Sequence, residues 1–149
     1  MVQAARSGRQ NIAEGSQASG TSKKFELKLI GVARASLEAL LLDYEDFLRH
    51  RGLVLWQKTR SLARLIRSLA YEENRSYETY RSYIETCSPK IAANTIICLI
   101  HQTNYLLDKQ LKQLETAFLR AGGFTERLYL GEEEEKRIRP IGLIDLFER

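Results

Sequence analysis

The chain has 149 residues but only two prolines, two cysteines, one methionine and one tryptophan. Two prolines leave little to interrupt a helix, and the nine glycines sit between long stretches of Leu, Ala, Arg, Glu and Lys, the composition of an all-helical chain. Cys87 and Cys98 form neither a CxxC pair nor a disulfide framework and read as reduced thiols. No apolar run approaches the ~20 residues needed to span a bilayer. Arg6 and Arg9 are not followed by an apolar stretch, so no signal peptide is expected, and the protein is expected to stay in the cytoplasm without membrane contact. A Gly-rich phosphate loop, an HExxH pair and a nucleophile elbow are all missing. The sequence therefore offers no catalytic residue, no metal site and no cofactor site, and an enzyme is not expected.

What is present is charge, unevenly placed. Residues 1–70 carry 12 Lys/Arg against 6 Asp/Glu, whereas residues 71–149 carry 11 against 13. A basic first half is suited to a polyanion, although Lys and Arg also coat ordinary bundle surfaces. Two basic groups stand out. Arg60, Arg64 and Arg67, with Lys58 nearby, recur at helical spacing; Arg6, Arg9, Lys23, Lys24 and Lys28 flank the first predicted loop. Nucleic-acid affinity depends on such clusters, because neutralising phosphates releases counterions. The alternative for each is a solvated helix face.

The apolar pattern predicts helices at about 2–13, 23–49, 53–71 and 89–121, with a short helix around 77–85. Gly15 reads as the stop of the first, and Thr21 or Ser22 as the cap of the second. In that second helix Phe25, Leu29, Val32, Ser36, Ala39, Leu40 and Phe47 share one side, flanked by Ile30, Leu37, Leu41, Tyr44 and Leu48. So wide an apolar arc predicts two or more helical neighbours. Arg34, Glu38, Glu45 and Arg49 mark its wet side, with Glu45/Arg49 an i,i+4 pair. Gly52 ends the helix. Trp56 falls near the edge of the basic face and is expected to be partly buried. Ser88-Pro89 is a helix start, and Ala93, Ile100, Leu107, Leu114 and Ala121 repeat every seven residues as a bundle seam. Residues 1–123 form the predicted helical domain. Residues 124–149 form a tail with a short helix or turn at 124–130, the acidic block Glu132 to Glu135, and an apolar end.

His101 lies seven residues from both Asn94 and Asp108, near Asn104 and Tyr105. This is either an acid–base site or a polar stripe that fixes helix register; no second ligand cluster completes a metal set, so the stripe is expected. Tyr77, Tyr80 and Tyr83, interleaved with Arg75 and Arg81, either stack on unpaired bases or pack one helical face.

The segment RSGRQNIAEG, followed by KKFELKLIGVARASLEALLLDYEDFL, resembles the four-helix-bundle family of 23S rRNA intervening-sequence proteins. Asn11-Ile12-Ala13-Glu14-Gly15 and Ala33-Arg34-Ala35-Ser36-Leu37 carry the likeness. The stretch from Ser88 to Leu128 looks like the C-terminal extension of the family's suffix-domain subset. The resemblance implies an antiparallel four-helix-bundle type with a long C-terminal helix. It also implies a chain shortened at its N-terminus, lacking the family's first helix, so that apolar sides are left for the 89–121 helix or other subunits to cover. The family includes the accessory protein of diversity-generating retroelements. By that resemblance the protein is expected to be a homo-oligomer, a five-membered ring being one form. It is expected to bind RNA, and a reverse transcriptase or other protein is implied as partner. Arg60, Arg64, Arg67 and Lys58, supported by Lys23, Lys24, Lys28, Arg6 and Arg9, are the expected nucleic-acid contacts. The alternative is a structural module that recruits a protein partner through its helical seam.

Overall fold

The computed structural model describes residues 1–121 and Leu128. The expected tail, its acidic block and all but Leu128 of the 124–130 turn lie outside the described residues. Among those described, the fold is all-α, as expected, with no strand. Five helices follow in order: α1 Val2–Ala18, α2 Lys23–His50, α3 Ser61–Leu69, α4 Tyr77–Arg81, and α5 Pro89–Ala121, with a π-helical turn, Ser82–Thr86, running on from α4.

α1 and α2 form a close hairpin. The N-terminal amine meets Asp43 at 2.7 Å, Ser7 Oγ lies 3.1 Å from Ser36 Oγ, and Gly15 sits beside Ile30. Gly15 does not stop the first helix, which continues to Ala18. A Cβ at Gly15 would come within 3.1 Å of Ile30 Cδ1 and 3.4 Å of Leu29 Cβ, a tight fit, so glycine there eases the approach of two helices. The turn comes later, where the Ala18 carbonyl accepts from the N–H groups of Thr21 and Ser22. Ser22, one of the two expected caps, opens α2 by accepting from the Phe25 N–H at 3.3 Å.

α2 and α5 pack with their residue order reversed. Leu48 shares a core with Ala93 and Ile97, whereas Ile30 shares one with Leu107 and Leu114. The expected seam residues Ala93, Ile100, Leu107 and Leu114 are all buried. Polar contacts fix the register. Arg34 donates to Glu38 Oε2 at 2.6 Å and to Asp108 Oδ1 at 2.9 Å, and Asn104 Nδ2 approaches the same Glu38 oxygen at 3.4 Å. The hydrogen bond to Glu38, and then that to Asp108, outweigh burial and raise the Arg34 pKa. Arg49 pairs with Asp46 rather than with the expected Glu45.

The predicted 53–71 helix is halved. Gly52, at φ 63°, closes α2 with the Leu53 N–H donating to the Leu48 carbonyl and its own N–H to that of Arg49. Residues 53–60 then run as a strap, because Asn94 claims their backbone. Its Oδ1 accepts from the Trp56 N–H at 2.7 Å, and its Nδ2 donates to the carbonyls of Val54 at 3.1 Å and Lys90 at 2.9 Å. Only Ser61–Leu69 winds into α3, which advances in the same direction as α5. Tyr80, Tyr83 and Ile84 pack with Trp56 and Ile66, so Tyr80 and Tyr83 serve the core.

Three substitutions test this packing. Gly8→Ala, where a Cβ meets Leu37 at an ordinary 3.4 Å, should stabilise by about 0.5–1 kcal/mol in urea unfolding, and Gly15→Val should destabilise by about 1–3 kcal/mol. Asn94→Ala strands the Trp56 N–H and the Val54 carbonyl and should cost at least about 2 kcal/mol in the same assay.

Candidate nucleic-acid interface

The strap places Trp56 against α3 and α5. It is 9% exposed, more buried than its position at the edge of the basic face suggests. The Arg60 guanidinium carbon stands 5.7 Å from its ring centroid, a cation–π contact. Arg60 itself precedes the first turn of α3 in extended conformation, while Arg64 and Arg67 follow inside the helix. Arg67 donates to the Lys58 carbonyl, which ties the helix back to the strap and holds the guanidinium in place.

Two hollows adjoin here. One, of about 440 Å³, is bordered by Leu55, Trp56, Lys58, Arg67, Cys98 and His101, among others. The other, of about 470 Å³, is bordered by Arg64, Arg67, Tyr71, His101 and Tyr105 with Ser68 and Gln102. Arg67 and His101 border both, so the two form one groove between α3 and α5. Among the described residues, no Asp or Glu borders either hollow. Farther along α5, Lys109 Nζ lies 4.7 Å from the Tyr105 ring centroid and prolongs the cationic line.

The ion pairs sharpen the contrast. Arg34, Arg49, Arg81 and Lys23 each hold a carboxylate. Among the described residues, Lys58, Arg60, Arg64 and Arg67 hold none. Cations without carboxylate partners among the described residues, beside a groove with aromatic walls, can accept a chain of phosphates and the flat faces of unpaired bases.

The structure brings Lys58, Arg64 and Arg67 of the first basic group to the groove, seats Arg60 on the Trp56 ring beside it, and disperses the second group. Arg6 and Arg9 are exposed on α1 on either side of Gly8, which packs at the level of Ala33 and Leu37, well away from the loop before α2. Lys23 is engaged by Glu26 Oε2 and Ser19 Oγ, each at 3.2 Å. Lys24 and Lys28 are exposed on α2, and neither hollow includes a residue of α1 or α2. The tyrosine series is also divided. Tyr77 is exposed, but its hydroxyl donates to Glu85 Oε1 at 2.7 Å, and Arg81 is paired with Glu78 and Glu85. That corner carries carboxylates and is poorly suited to a phosphate.

The polar stripe on α5 splits by role. Asn94 holds the strap, Asp108 and Asn104 join the Arg34 network, and His101 is left exposed at the groove. Among the described residues, no group of three or more His, Cys, Asp and Glu could hold a metal ion. Tyr71 and Tyr105 were not expected contacts. The spacing of His101 and Tyr105 on one face of α5 is visible in the sequence, but the arrival of α3 beside that face is not. No helix among the described residues is long and apolar enough to cross a membrane. No protein-family model, curated protein or solved structure matches the chain.

The two thiols provide a probe of the groove. Cys87 is exposed, whereas Cys98 is partly buried and its burial pushes the thiol pKa up, leaving less reactive thiolate at neutral pH. Mass-spectrometric alkylation should label Cys87 several-fold faster than Cys98. A ligand in the groove should slow Cys98 further and leave Cys87 unchanged.

Proposed function

We propose that this protein is a non-enzymatic RNA-binding accessory protein that lays unpaired nucleotides along the α3–α5 groove. The observation that carries this reading is a set of four cations that hold no carboxylate among the described residues: Lys58, Arg64 and Arg67 border a groove to which no described acidic residue contributes, and Arg60 stands on the Trp56 ring beside it. These four neutralise phosphates. Tyr71 and Tyr105 offer ring faces, and base–aromatic stacking contributes about 1–3 kcal/mol per base. Lys24, Lys28, Arg6 and Arg9 add long-range attraction from other faces rather than contacts in the groove. The likeness to 23S rRNA intervening-sequence proteins points the same way, and its retroelement branch supports RNA with a reverse transcriptase or other protein as partners. On this reading the protein acts in the cytoplasm, has no catalytic residue, and assembles as a homo-oligomer.

A second reading, a structural module that recruits a protein, is favoured by one observation. The outer side of α2 exposes Phe25, Val32 and Leu42, which nothing in the described chain covers.

Binding to an RNA hairpin with an unpaired loop, titrated in a salt series, separates the two. The expected result is affinity that falls steeply with salt. Arg60→Glu with Arg64→Glu should weaken binding at least tenfold and shrink the slope of log K on log salt by about 0.7 per lost contact. Arg67→Glu should abolish binding as well, with circular dichroism to check the strap it holds. Unchanged affinity in the Arg60/Arg64 variant refutes the groove, and no binding at low salt favours the protein-recruiting module.

A further inference from the structure

The uncovered side of α2 is a heptad seam. Phe25, Lys28, Val32, Ala35, Ala39, Leu42, Asp46 and Arg49 succeed one another at alternating steps of three and four, the spacing of an a/d stripe. They lie away from both packed sides of α2, where Gly8 and Gly15 of α1 meet Ala33, Leu37 and Ile30, and where Leu41 and Leu48 meet the α5 core. Phe25 is 50% exposed, Val32 42% and Leu42 55%, with Ala35 and Ala39 exposed between them. Apolar residues at sustained seam spacing require a partner helix.

The order of side chains identifies that partner. Read from either end toward the middle, the stripe has an end residue, a charged residue, a branched aliphatic and an alanine. Two copies of α2 laid antiparallel, centred between Ala35 and Ala39, form matched a–d layers. Ala35 faces Ala39, Val32 faces Leu42, Lys28 faces Asp46, and Phe25 faces Arg49 of the second copy. The alanines at the crossing point admit close backbones, at the short end of the ~8–10 Å interaxial range. The next layer is aliphatic and the third is an ion pair of opposite signs. The outermost layer sets a guanidinium on an aromatic ring. Parallel pairing instead stacks Lys28 on Lys28 and Asp46 on Asp46. A slip of one heptad sets Lys28 against Ala39 and leaves Asp46 outside the overlap. One register and one direction match every position, with Asp46 and Arg49 exchanging their contact with each other for Lys28 and Phe25 of the second copy.

We infer that α2 is a self-recognition surface through which two copies of this chain pair antiparallel about a two-fold axis. Such a contact is isologous and closes at two subunits rather than growing into a ring. It does not depend on RNA binding. The groove is built from the strap, α3 and α5, so it stays open when α2 is covered.

Sedimentation velocity on the full chain over a wide concentration range tests the inference, with circular dichroism confirming helicity of each variant. A reversible monomer–dimer equilibrium is expected. Leu42→Glu should shift it to monomer, and Lys28→Glu should weaken it, whereas Lys28→Glu combined with Asp46→Lys should restore it. Under mild oxidation the double variant Ala35→Cys with Ala39→Cys should give a covalent dimer, because those positions face each other at the crossing. Val32→Cys alone, and the unaltered chain as a control for Cys87, should not. Monomer at every concentration, a dimer indifferent to Leu42→Glu, or cross-linking through Val32→Cys alone overturns the inference.

Discussion

The amide of Asn94 decides the shape of the groove. Buried to 1% exposure, it accepts from the Trp56 N–H and donates to the carbonyls of Val54 and Lys90. In a low-dielectric interior such bonds are strong and their loss leaves costly unpaired groups. They outcompete the helix that residues 53–60 would otherwise form. Were the strap helical, Trp56 would not be carried down against α5 and Arg60 would not project from an extended residue onto its ring. One buried side chain on α5 thus sets the position of a segment some forty residues earlier in the chain.

The charged residues divide by neighbourhood. On the α2–α5 side, Arg34 is shared between Glu38 and Asp108, and the pair network locks helix register. On the α4 side, Arg81 lies between Glu78 and Glu85. Hydrogen bonds from Arg81 and then Tyr77 hold the Glu85 carboxyl below its ordinary range. Beside α3 the cations have no such partners among the described residues, and the bond from Arg67 to the Lys58 carbonyl consumes no anion. Cations satisfied by carboxylates serve the fold. Arg67, held by a carbonyl, and Arg60, held on a ring, keep their charge for a ligand, which is the physical basis for proposing a polyanion there.

Much of the fold was legible in the sequence. The α5 start at Ser88-Pro89, its seven-residue seam and the span of α2 follow from capping chemistry and apolar period, which are local. Apart from the exchange of Glu45 for Asp46 as the partner of Arg49, the failures are non-local. Gly15 has a helix-stop appearance, yet its role is set by Ile30 on the facing helix. The strap has a helix-compatible composition, yet Asn94 overrides it. Of the candidate site, the Arg64/Arg67 spacing was legible because it is a single-helix property, whereas Arg60 stands just before the helix in extended backbone. Tyr71, Tyr105 and His101 were not legible as its walls, because they join it only once α3 lies along α5. Arg6 and Arg9 fail for the converse reason: proximity in sequence to the first loop is undone by an α1 that runs on past Gly15.

The wide apolar arc of α2 had one more consequence. Among the described residues α1 and α5 cover two sides of that arc, and what remains exposed is not scattered. It is a single heptad stripe with opposite charges at matched distances from two central alanines. Random surface apolar residues carry no such symmetry, whereas a two-fold interface imposes it, since each position must suit its mirror partner. The bundle's remaining valence is then met by its own copy. The proposed pair carries two grooves, each on the side of the bundle built from α3 and α5. An RNA long enough to reach both would gain avidity from the second without any new contact. Self-association and RNA binding on this account are separate surfaces of one helical frame, coupled through geometry alone.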